Sequence, residues 1–199
     1  MAARGPYAKG VAKRAEILDL ALGIIARDGY SGATVKQIAE AAGLSQNGLL
    51  HYFGSKDALF TEVLRRRDEV DLERQTGADA WNSVIDGLAS LVSDNAALPG
   101  FVQLYSRLAN EAAEPQHESH EYFRERYATI REAGVSIFTH LRDQGLVAED
   151  LDVDQYSVLL FALIDGLQTQ WMYDQSIDMA QHVRTFFAGV MTRAARPAR

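Results

Sequence analysis

The fold of this chain is decided by residues 34–53, which read TVKQIAEAAGLSQNGLLHYF. Thr34 is followed three residues later by Gln37, and this is the capping-box spacing with which helices begin. Gly43 supplies a turn after this first short helix, because glycine adopts backbone conformations that other residues avoid. Ser45 is a second N-cap and opens another short helix. The stretch therefore predicts two short helices joined by a tight turn, the helix-turn-helix arrangement.

The side chains of this stretch divide into an inner and an outer set. Ile38, Leu44 and Leu49 stand where they can fill the wedge between the two helices, and Ala39 is small enough for a close crossing. The residues left outside have hydrogen-bonding side chains that can meet base edges or phosphates: they are Gln46, Asn47, His51 and Tyr52. A helix that is merely solvated more often carries Glu and Lys. An ordinary helical hairpin is the alternative interpretation.

The sequence on both sides of this stretch is also helical in pattern. Upstream, apolar residues recur with helical spacing on one face, and Gly29 can end that helix; the face comprises Ile17, Leu20, Ala21 and Ile24. Downstream, Ser55 is an N-cap for a fourth helix that runs to about residue 71. Three helix starts with caps follow one another within about two dozen residues, which predicts a small module of packed helices.

Residues 12–67 resemble the N-terminal domain of the TetR family of transcriptional regulators. The resemblance rests on Asp-Gly-Tyr30 after the first helix, Thr34–Ala39, Gly43-Leu-Ser45, and His51-Tyr-Phe53 followed by Ser55-Lys-Asp-Ala-Leu59. It implies a DNA-binding domain over residues 1–60 and a recognition helix, Ser45–Tyr52, that a homodimer places in the major groove.

The resemblance also implies roles for single residues. Backbone phosphate contacts are expected of Thr34, Lys36, Tyr52 and Lys56, and base contacts of Gln46, Asn47, Gly48 and His51. The capping residues Gln37 and Ser45 complete the expected DNA-binding set. Leu50 stands where many relatives have tyrosine, so the phosphate contact made there by those relatives is not expected here.

The charge of the chain is unevenly distributed. The net charge is −7, yet the first seventy residues carry ten Lys and Arg against eight Asp and Glu, whereas the remainder carries ten against nineteen. Arg4, Lys9, Lys13 and Arg14 face no acidic residue before Glu16. This asymmetry predicts a DNA-facing head on an acidic body. A solvated basic tail is the alternative interpretation.

Several classes of protein are excluded by composition and spacing. The chain has no cysteine, which excludes disulfides, thiol catalysis and cysteine-based zinc sites. The longest apolar stretch, Val158–Ile164, is too short to cross a bilayer and no signal peptide is recognised, so we expect a cytoplasmic protein without membrane contact. His117 and His120 lack the zinc-protease spacing, and the aspartates of residues 150–154 lack the glycine and glutamate of a calcium loop. We expect no catalytic residue, metal or cofactor.

Residues 61–199 predict a larger helical domain that senses a ligand and dimerises, which makes the whole chain all-α with about nine helices. Aromatic residues are abundant in this part and can line a pocket for an apolar or aromatic effector, although plain core is the alternative for any one of them. With polar residues as anchors, the expected ligand set comprises Trp81, Phe101, Gln103, Tyr105, Asn110, Tyr127, Phe138, Phe161, Asp165, Gln168 and Trp171.

The last two predicted helices suit pairing between subunits, because one face is small enough for close approach and the neighbouring faces are apolar. The expected interface set comprises Ala162, Gly166, Thr169, Tyr173, Val183, Phe186, Phe187 and Val190. Burial of these faces within one subunit is the alternative.

The sequence thus predicts a homodimeric repressor that a small-molecule effector releases from a palindromic DNA operator. A constitutive DNA-binding regulator or an activator without ligand is the alternative, and a small helical enzyme is a further one.

Overall fold

The computed structural model describes residues 6–75 and 81–192, and the side chains within residues 9–69 and 84–192. Throughout these ranges the regular structure is helical, which confirms the all-α prediction. In chain order the nine helices of the described part are α1 (Pro6–Gly32), α2 (Val35–Ala41), α3 (Gln46–Phe53), α4 (Lys56–Gln75), α5 (Trp81–Ala96), α6 (Pro99–Glu111), α7 (His120–Asp143), α8 (Val153–Tyr173) and α9 (Met179–Val190). None of them combines the length and the apolar character that a bilayer-spanning segment needs.

The described chain forms two compact units. The first contains α1 to α3, α4 as far as Glu73, and the later segment Leu98–His120 with α6. The second contains α5, α7, α8 and α9. Most of α4 therefore belongs to the first unit, and its last two residues belong to the second. Helix α6 packs with the N-terminal helices. A functional division at residue 60 stays a prediction.

The start signals read from the sequence are confirmed in the first unit. The Thr34 hydroxyl accepts a hydrogen bond from the Gln37 amide at 3.2 Å, and the Gln37 side chain accepts one from the Thr34 amide at 3.1 Å, which completes the capping box. The Ser45 hydroxyl accepts a hydrogen bond from the Gly48 amide at 3.0 Å and caps α3. Gly43 has a φ of 68°, so the turn between α2 and α3 uses the conformation that favours glycine.

The core of the first unit forms where α1 contacts α6. Gly29 interrupts α1 with a φ of 73°, and α6 passes directly beside this interruption. A Cβ atom on Gly100 would lie 2.6 Å from the Ile25 carbonyl oxygen and 2.8 Å from the Gly29 Cα, so only glycine fits there. Tyr30 follows the interruption and packs edge-on against Phe60 of α4, with ring centroids 5.6 Å apart. Burial raises the pKa of the Tyr30 phenol and keeps it neutral.

The second unit is built around an aromatic core. Phe138 of α7 is fully buried and stacks on Phe187 of α9 with centroids 5.8 Å apart, while Phe186 meets Phe138 edge-on at 6.4 Å. Two hydrogen bonds join α7 to α8: the Ser157 hydroxyl donates to the Arg131 carbonyl at 2.8 Å, and the Tyr127 hydroxyl donates to the Asp165 carboxylate at 2.8 Å.

Candidate nucleic-acid interface

Helix α3 presents a polar face outward and an apolar face inward. Gln46, Asn47 and His51 are exposed, whereas Leu49 is fully buried and Phe53 is 8% exposed. The Tyr52 ring is half-buried and lies 6.4 Å from the His51 ring. The wedge residues Ile38 and Ala39 of α2 are also buried. The polar tips of α3 are therefore held away from the core, where they can enter a groove of a nucleic acid.

The first turn of α3 is built tightly around its cap. A Cβ atom on Gly48 would lie 3.2 Å from the Ser45 hydroxyl, closer than side chains normally pack. The capping hydrogen bond to the Gly48 amide therefore fits best when residue 48 has no side chain. The absence of a side chain also leaves the backbone of this turn accessible to a ligand that approaches the helix.

The residues of the expected DNA-binding set at the start of α2 are all exposed, but they differ in their surroundings. Thr34 and Gln37 are engaged with each other in the capping box. The Lys36 ammonium lies 3.9 Å from the Glu40 carboxylate, and both side chains are about two-thirds exposed, so the pair is weak. Lys36 can accordingly exchange this carboxylate for a phosphate at little cost.

Lys56 is the first residue of α4, and its side chain is exposed. Its ammonium lies 5.7 Å from the centroid of the Phe60 ring one turn further on. A cation at a helix N-terminus is unfavourable beside the positive end of the helix dipole. A phosphate at this position would offset that cost and would also meet the helix dipole favourably.

Arg14 of α1 has a role in this head that the sequence pattern did not indicate, since the pattern marks it only as one basic residue among several. Its guanidinium donates a hydrogen bond to the Tyr52 carbonyl at 2.5 Å, forms an ion pair with Glu62 at 3.0 Å, and lies over the Phe53 ring at 4.5 Å. One side chain thus joins α1 to the end of α3 and to α4. Its partners lie 38 residues or more along the chain, so no local pattern could have revealed this role.

The neighbouring Lys13 is also used inside the head. Its ammonium donates to the Ala42 carbonyl in the turn between α2 and α3 at 2.8 Å and pairs with Glu16 at 2.8 Å. Of the four basic residues near the N-terminus, Lys13 and Arg14 therefore hold the helix-turn-helix together, Lys9 is exposed, and Arg4 lies outside the described residues. Part of the excess of basic residues at the N-terminus therefore stabilises this unit through contacts within the protein.

The expected ligand-binding residues fall into both units. Phe101, Gln103, Tyr105 and Asn110 lie on α6 in the first unit, where Phe101 is buried and the Asn110 amide donates to the Ser106 carbonyl at 2.6 Å. The others lie in the second unit: Tyr127, Phe138, Phe161, Asp165, Gln168 and Trp171. Of these, Phe138 belongs to the aromatic core, and Gln168 and Trp171 are buried. Trp81 begins α5, and its side chain lies outside the described residues.

The expected interface residues also divide by burial. On α8, Ala162 and Thr169 are exposed, Gly166 is half-buried, and Tyr173 is 89% exposed. The same helix exposes about half of Val158 and of Leu159, which are not among the predicted interface residues. On α9, Phe186 and Val190 are half-buried, whereas Val183 and Phe187 are buried within the second unit and contribute to its own core.

The histidines of the α6–α7 connection make contacts within the first unit. The His117 ring lies 3.7 Å from the Asp57 carboxylate, and the His120 ring shares a hydrogen bond with the Ala112 carbonyl at 2.8 Å. Among the described residues, no group of three or more metal-ligating side chains is close enough together to hold an ion.

The comparisons with known proteins agree with this geometry. Residues 17–63 match the profile of bacterial regulatory proteins of the tetR family, and residues 92–192 match the C-terminal profile of BetI-type transcriptional repressors. The HTH-type transcriptional repressor Rv1474c of Mycobacterium tuberculosis is 31% identical over 160 residues, which cover 78% of this chain and 80% of the relative. The fatty acid metabolism regulator protein of Bacillus subtilis is 30% identical over 176 residues, which cover 84% of this chain and 88% of that protein.

A solved structure has the same fold. A transcriptional regulator of Saccharomonospora viridis in complex with choline superposes with a TM-score of 0.73 at 23% identity, and the match covers 92% of this chain and all of that one. The helix-turn-helix, the matched profiles and the relatives that align along most of the chain lead to one conclusion. The chain belongs to the TetR family of bacterial transcriptional regulators, which are DNA-binding proteins and not enzymes.

Proposed function

We propose that this chain acts as a homodimeric repressor that binds a palindromic operator and leaves it when a small organic effector binds. The observation that carries the DNA-binding part is the division of α3, in which Gln46, Asn47 and His51 are exposed while Leu49 is fully buried. A helix held by its apolar side with amide and imidazole groups outward is suited to reading base edges in the major groove.

Two groups of residues have different roles at the duplex, one at the base edges and the other at the phosphates. Gln46 and Asn47 are assigned to base edges with His51, because amide side chains hydrogen-bond adenine in a bidentate manner, and Gly48 allows the backbone to come close. Lys56 and Lys36 are assigned to phosphates together with Thr34 and the Tyr52 hydroxyl. Gln37 and Ser45 contribute by capping the helices that carry these groups. Operators of this kind lie on the chromosome, which places the protein in the cytoplasm.

The exposed face of α8 is assigned to the dimer interface. Val158, Leu159, Ala162 and Tyr173 place apolar groups on this exposed side, and Gly166 lets a second helix approach closely. A two-fold dimer through this face presents two copies of α3 to successive half-sites of a palindrome, about 34–36 Å apart.

A second part of the proposal concerns the effector. The family resemblance extends to the C-terminal BetI-type profile, and a chain of the same fold was solved with choline bound, so the fold accommodates a small organic molecule. The half-buried Phe161 and the Tyr127–Asp165 pair are the candidates for contacting an apolar or aromatic effector in the second unit. Since α4 carries the chain from the first unit into the second at residues 73 and 74, displacement of this helix is the proposed route to the DNA-binding head.

The test compares two kinds of substitution on two DNA duplexes. The wild-type protein first selects a duplex from a randomised pool, and fluorescence anisotropy then measures binding to the selected and to a scrambled duplex across a range of salt concentrations. We expect Lys56→Ala to weaken binding to both duplexes alike and to lower the salt slope by about 0.9, the value for one phosphate contact. We expect Gln46→Ala or Asn47→Ala to cost about 1–3 kcal/mol on the selected duplex alone.

The matched control for charge is Arg131→Ala, which removes an exposed cation from α7 in the second unit. This variant should retain both the affinity and the salt slope of the wild type. Identical behaviour of the lysine and amide variants on the two duplexes would refute the assignment of roles. Failure of the wild type to select any duplex would refute the proposal as a whole.

A further inference from the structure

We infer that the α6–α7 connection, residues 117–119, is a second anchor of the DNA-binding head, and that Glu118 is a positioning residue for the phosphate contact of Lys56. This inference rests on the proposed function of Lys56. It concerns residues that lie outside both the matched helix-turn-helix profile and the segment that the sequence assigns to DNA.

The first contact joins Glu118 to the start of α4. The Glu118 carboxylate accepts a hydrogen bond from the Ser55 hydroxyl and another from the Ala58 amide at 3.1 Å. The Ser55 hydroxyl in turn accepts from the same Ala58 amide at 3.0 Å. The N-terminus of α4 is therefore capped twice, once by its own serine and once by a carboxylate 60 residues further along the chain. A negative charge at this end of a helix is favourable.

Two further contacts hold the next turn of α4. The Thr61 hydroxyl shares a hydrogen bond of 2.7 Å with the Ser119 hydroxyl, and both side chains are buried, Ser119 completely. The His117 ring lies 3.7 Å from the Asp57 carboxylate, and its Nδ1 accepts a hydrogen bond from the Ser119 amide at 3.1 Å. The three residues of the connection thus contact the first turns of α4 at Ser55, Asp57, Ala58 and Thr61.

Lys56, by contrast, has an exposed side chain that a phosphate can reach. Its backbone lies between Ser55 and Asp57, and both of these residues are held by the connection. A phosphate contact requires the Lys56 ammonium to lie within hydrogen-bonding distance of a phosphate oxygen. If the start of α4 is already fixed before DNA binds, less conformational entropy is lost on binding. If the anchor is lost, only part of the population is competent, and the apparent affinity falls by the same fraction.

The experiment compares Glu118→Ala with Glu118→Gln on the duplex selected by the wild-type protein. Both variants remove the same negative charge, but glutamine keeps an oxygen that accepts from Ser55 and Ala58. We expect Glu118→Ala to bind about fivefold more weakly than Glu118→Gln, the equivalent of one net hydrogen bond. Its salt slope should equal that of Glu118→Gln, because the competent fraction still makes the Lys56–phosphate contact in the complex. Glu114→Ala, at an exposed position earlier in the segment between α6 and α7, should bind like the wild type.

A double-mutant cycle separates positioning from general destabilisation. When Lys56→Ala is also present, the affinities of the Glu118→Ala and Glu118→Gln variants should differ less than twofold. Glu118 acts through Lys56, so its substitution has no further effect once the Lys56 ammonium is absent. Hydrogen exchange should be faster at the amides of residues 58–61 in Glu118→Ala than in Glu118→Gln, with α2 unchanged. Equal affinities of the two variants, or effects that add to that of Lys56→Ala, would overturn the inference. Loss of duplex selection by the wild type would instead overturn the proposed function.

Discussion

At the scale of single residues, the DNA-binding head depends on cations that bind groups within the head itself. Arg14 contacts three groups of the head at once, the Tyr52 carbonyl, the Glu62 carboxylate and the Phe53 ring. The Tyr52 carbonyl belongs to the last turn of α3, where the helix dipole is negative and a cation is favourable. Arg14 therefore fixes the end of α3 opposite to the end that Ser45 caps.

We expect Arg14→Met to lower the free energy of unfolding by about 1–2 kcal/mol, measured by urea denaturation. Methionine keeps the apolar contact with the Phe53 ring, so the loss comes from the hydrogen bond and the ion pair. Hydrogen bonds of charged groups contribute about 1.5–3 kcal/mol, but Arg14 and Glu62 remain 39% and 27% exposed and are partly screened.

The control is Arg27→Met in the same helix. Its guanidinium pairs with Asp28 at 2.7 Å, and the hydrogen bond from Arg27 lowers the pKa of the Asp28 carboxyl. The Arg27 side chain is 71% exposed, however, so this pair should contribute nothing measurable to unfolding in moderate salt. An equal loss in both variants would mean that Arg14 has no special role.

At the scale of helices, the contact between α1 and α6 depends on two glycines. Gly29 interrupts the helical backbone of α1, and Gly100 lets the first turn of α6 lie against the backbone at this interruption. Pro99 precedes Gly100 and begins α6, since proline suits the first turn of a helix. The Pro-Gly pair therefore starts α6 and also sets how closely it approaches α1.

We expect Gly100→Ala to destabilise the protein by about 1–3 kcal/mol, the usual cost of overpacking. The added Cβ would meet the Ile25 carbonyl oxygen and the Gly29 Cα, and neither can move without shifting the backbone. The measurement is the midpoint and slope of chemical denaturation.

Gly23→Ala is the matched control for this substitution, because it lies within α1 and no atom would come within 4 Å of the new Cβ. Alanine there should stabilise the helix by about 0.5–1 kcal/mol. The two substitutions are the same in chemistry and are expected to have opposite signs. Stabilisation by both would show that helix propensity, and not the contact with α6, determines the result.

At the scale of the whole molecule, the proposed function requires two copies of the chain. The exposed face of α8 carries Val158 and Leu159, each about half exposed, and Tyr173, which is 89% exposed. Burial of apolar area contributes about 25 cal/mol per Å², so leaving such side chains in water is unfavourable when a partner can cover them.

We expect Ala162→Glu to convert the protein from dimer to monomer in light scattering at micromolar concentration. The substitution places a charge at the middle of the α8 face, and a two-fold axis brings the second copy of that charge nearby. A monomer engages one half-site only, so binding to the selected duplex should weaken at least about tenfold.

Ser136→Glu tests whether charge alone causes this effect, because it adds the same charge to an exposed position of α7 in the same unit. That variant should remain dimeric and retain DNA binding. A wild-type protein that is already monomeric, or an Ala162→Glu variant that stays dimeric, would show that α8 does not form the interface.

The local signals predicted the head well because α2, α3 and α4 each start at a cap that acts over three residues. The Thr34–Gln37 capping box, the Ser45 and Ser55 caps and the positive φ of Gly43 all stand as predicted. Helix α8 also begins at a local cap, since the Asp152 carboxylate accepts a hydrogen bond from the Gln155 amide at 3.1 Å. The predicted interface residues Val183 and Phe187 show the limit of periodicity, since an apolar stripe does not say which protein surface will cover it.

The sequence by itself determined the helical class, the helix starts and the family, because these depend on interactions between residues at most four positions apart or on motifs contiguous in the chain. Only the tertiary structure decided that Arg14 joins α1 to α3, that α6 packs with the head, and that Glu118 caps α4. The physical reason is distance along the chain. A hydrogen bond or a close backbone contact between residues 38 to about 75 positions apart follows from how whole helices pack, and no spacing in the sequence records it.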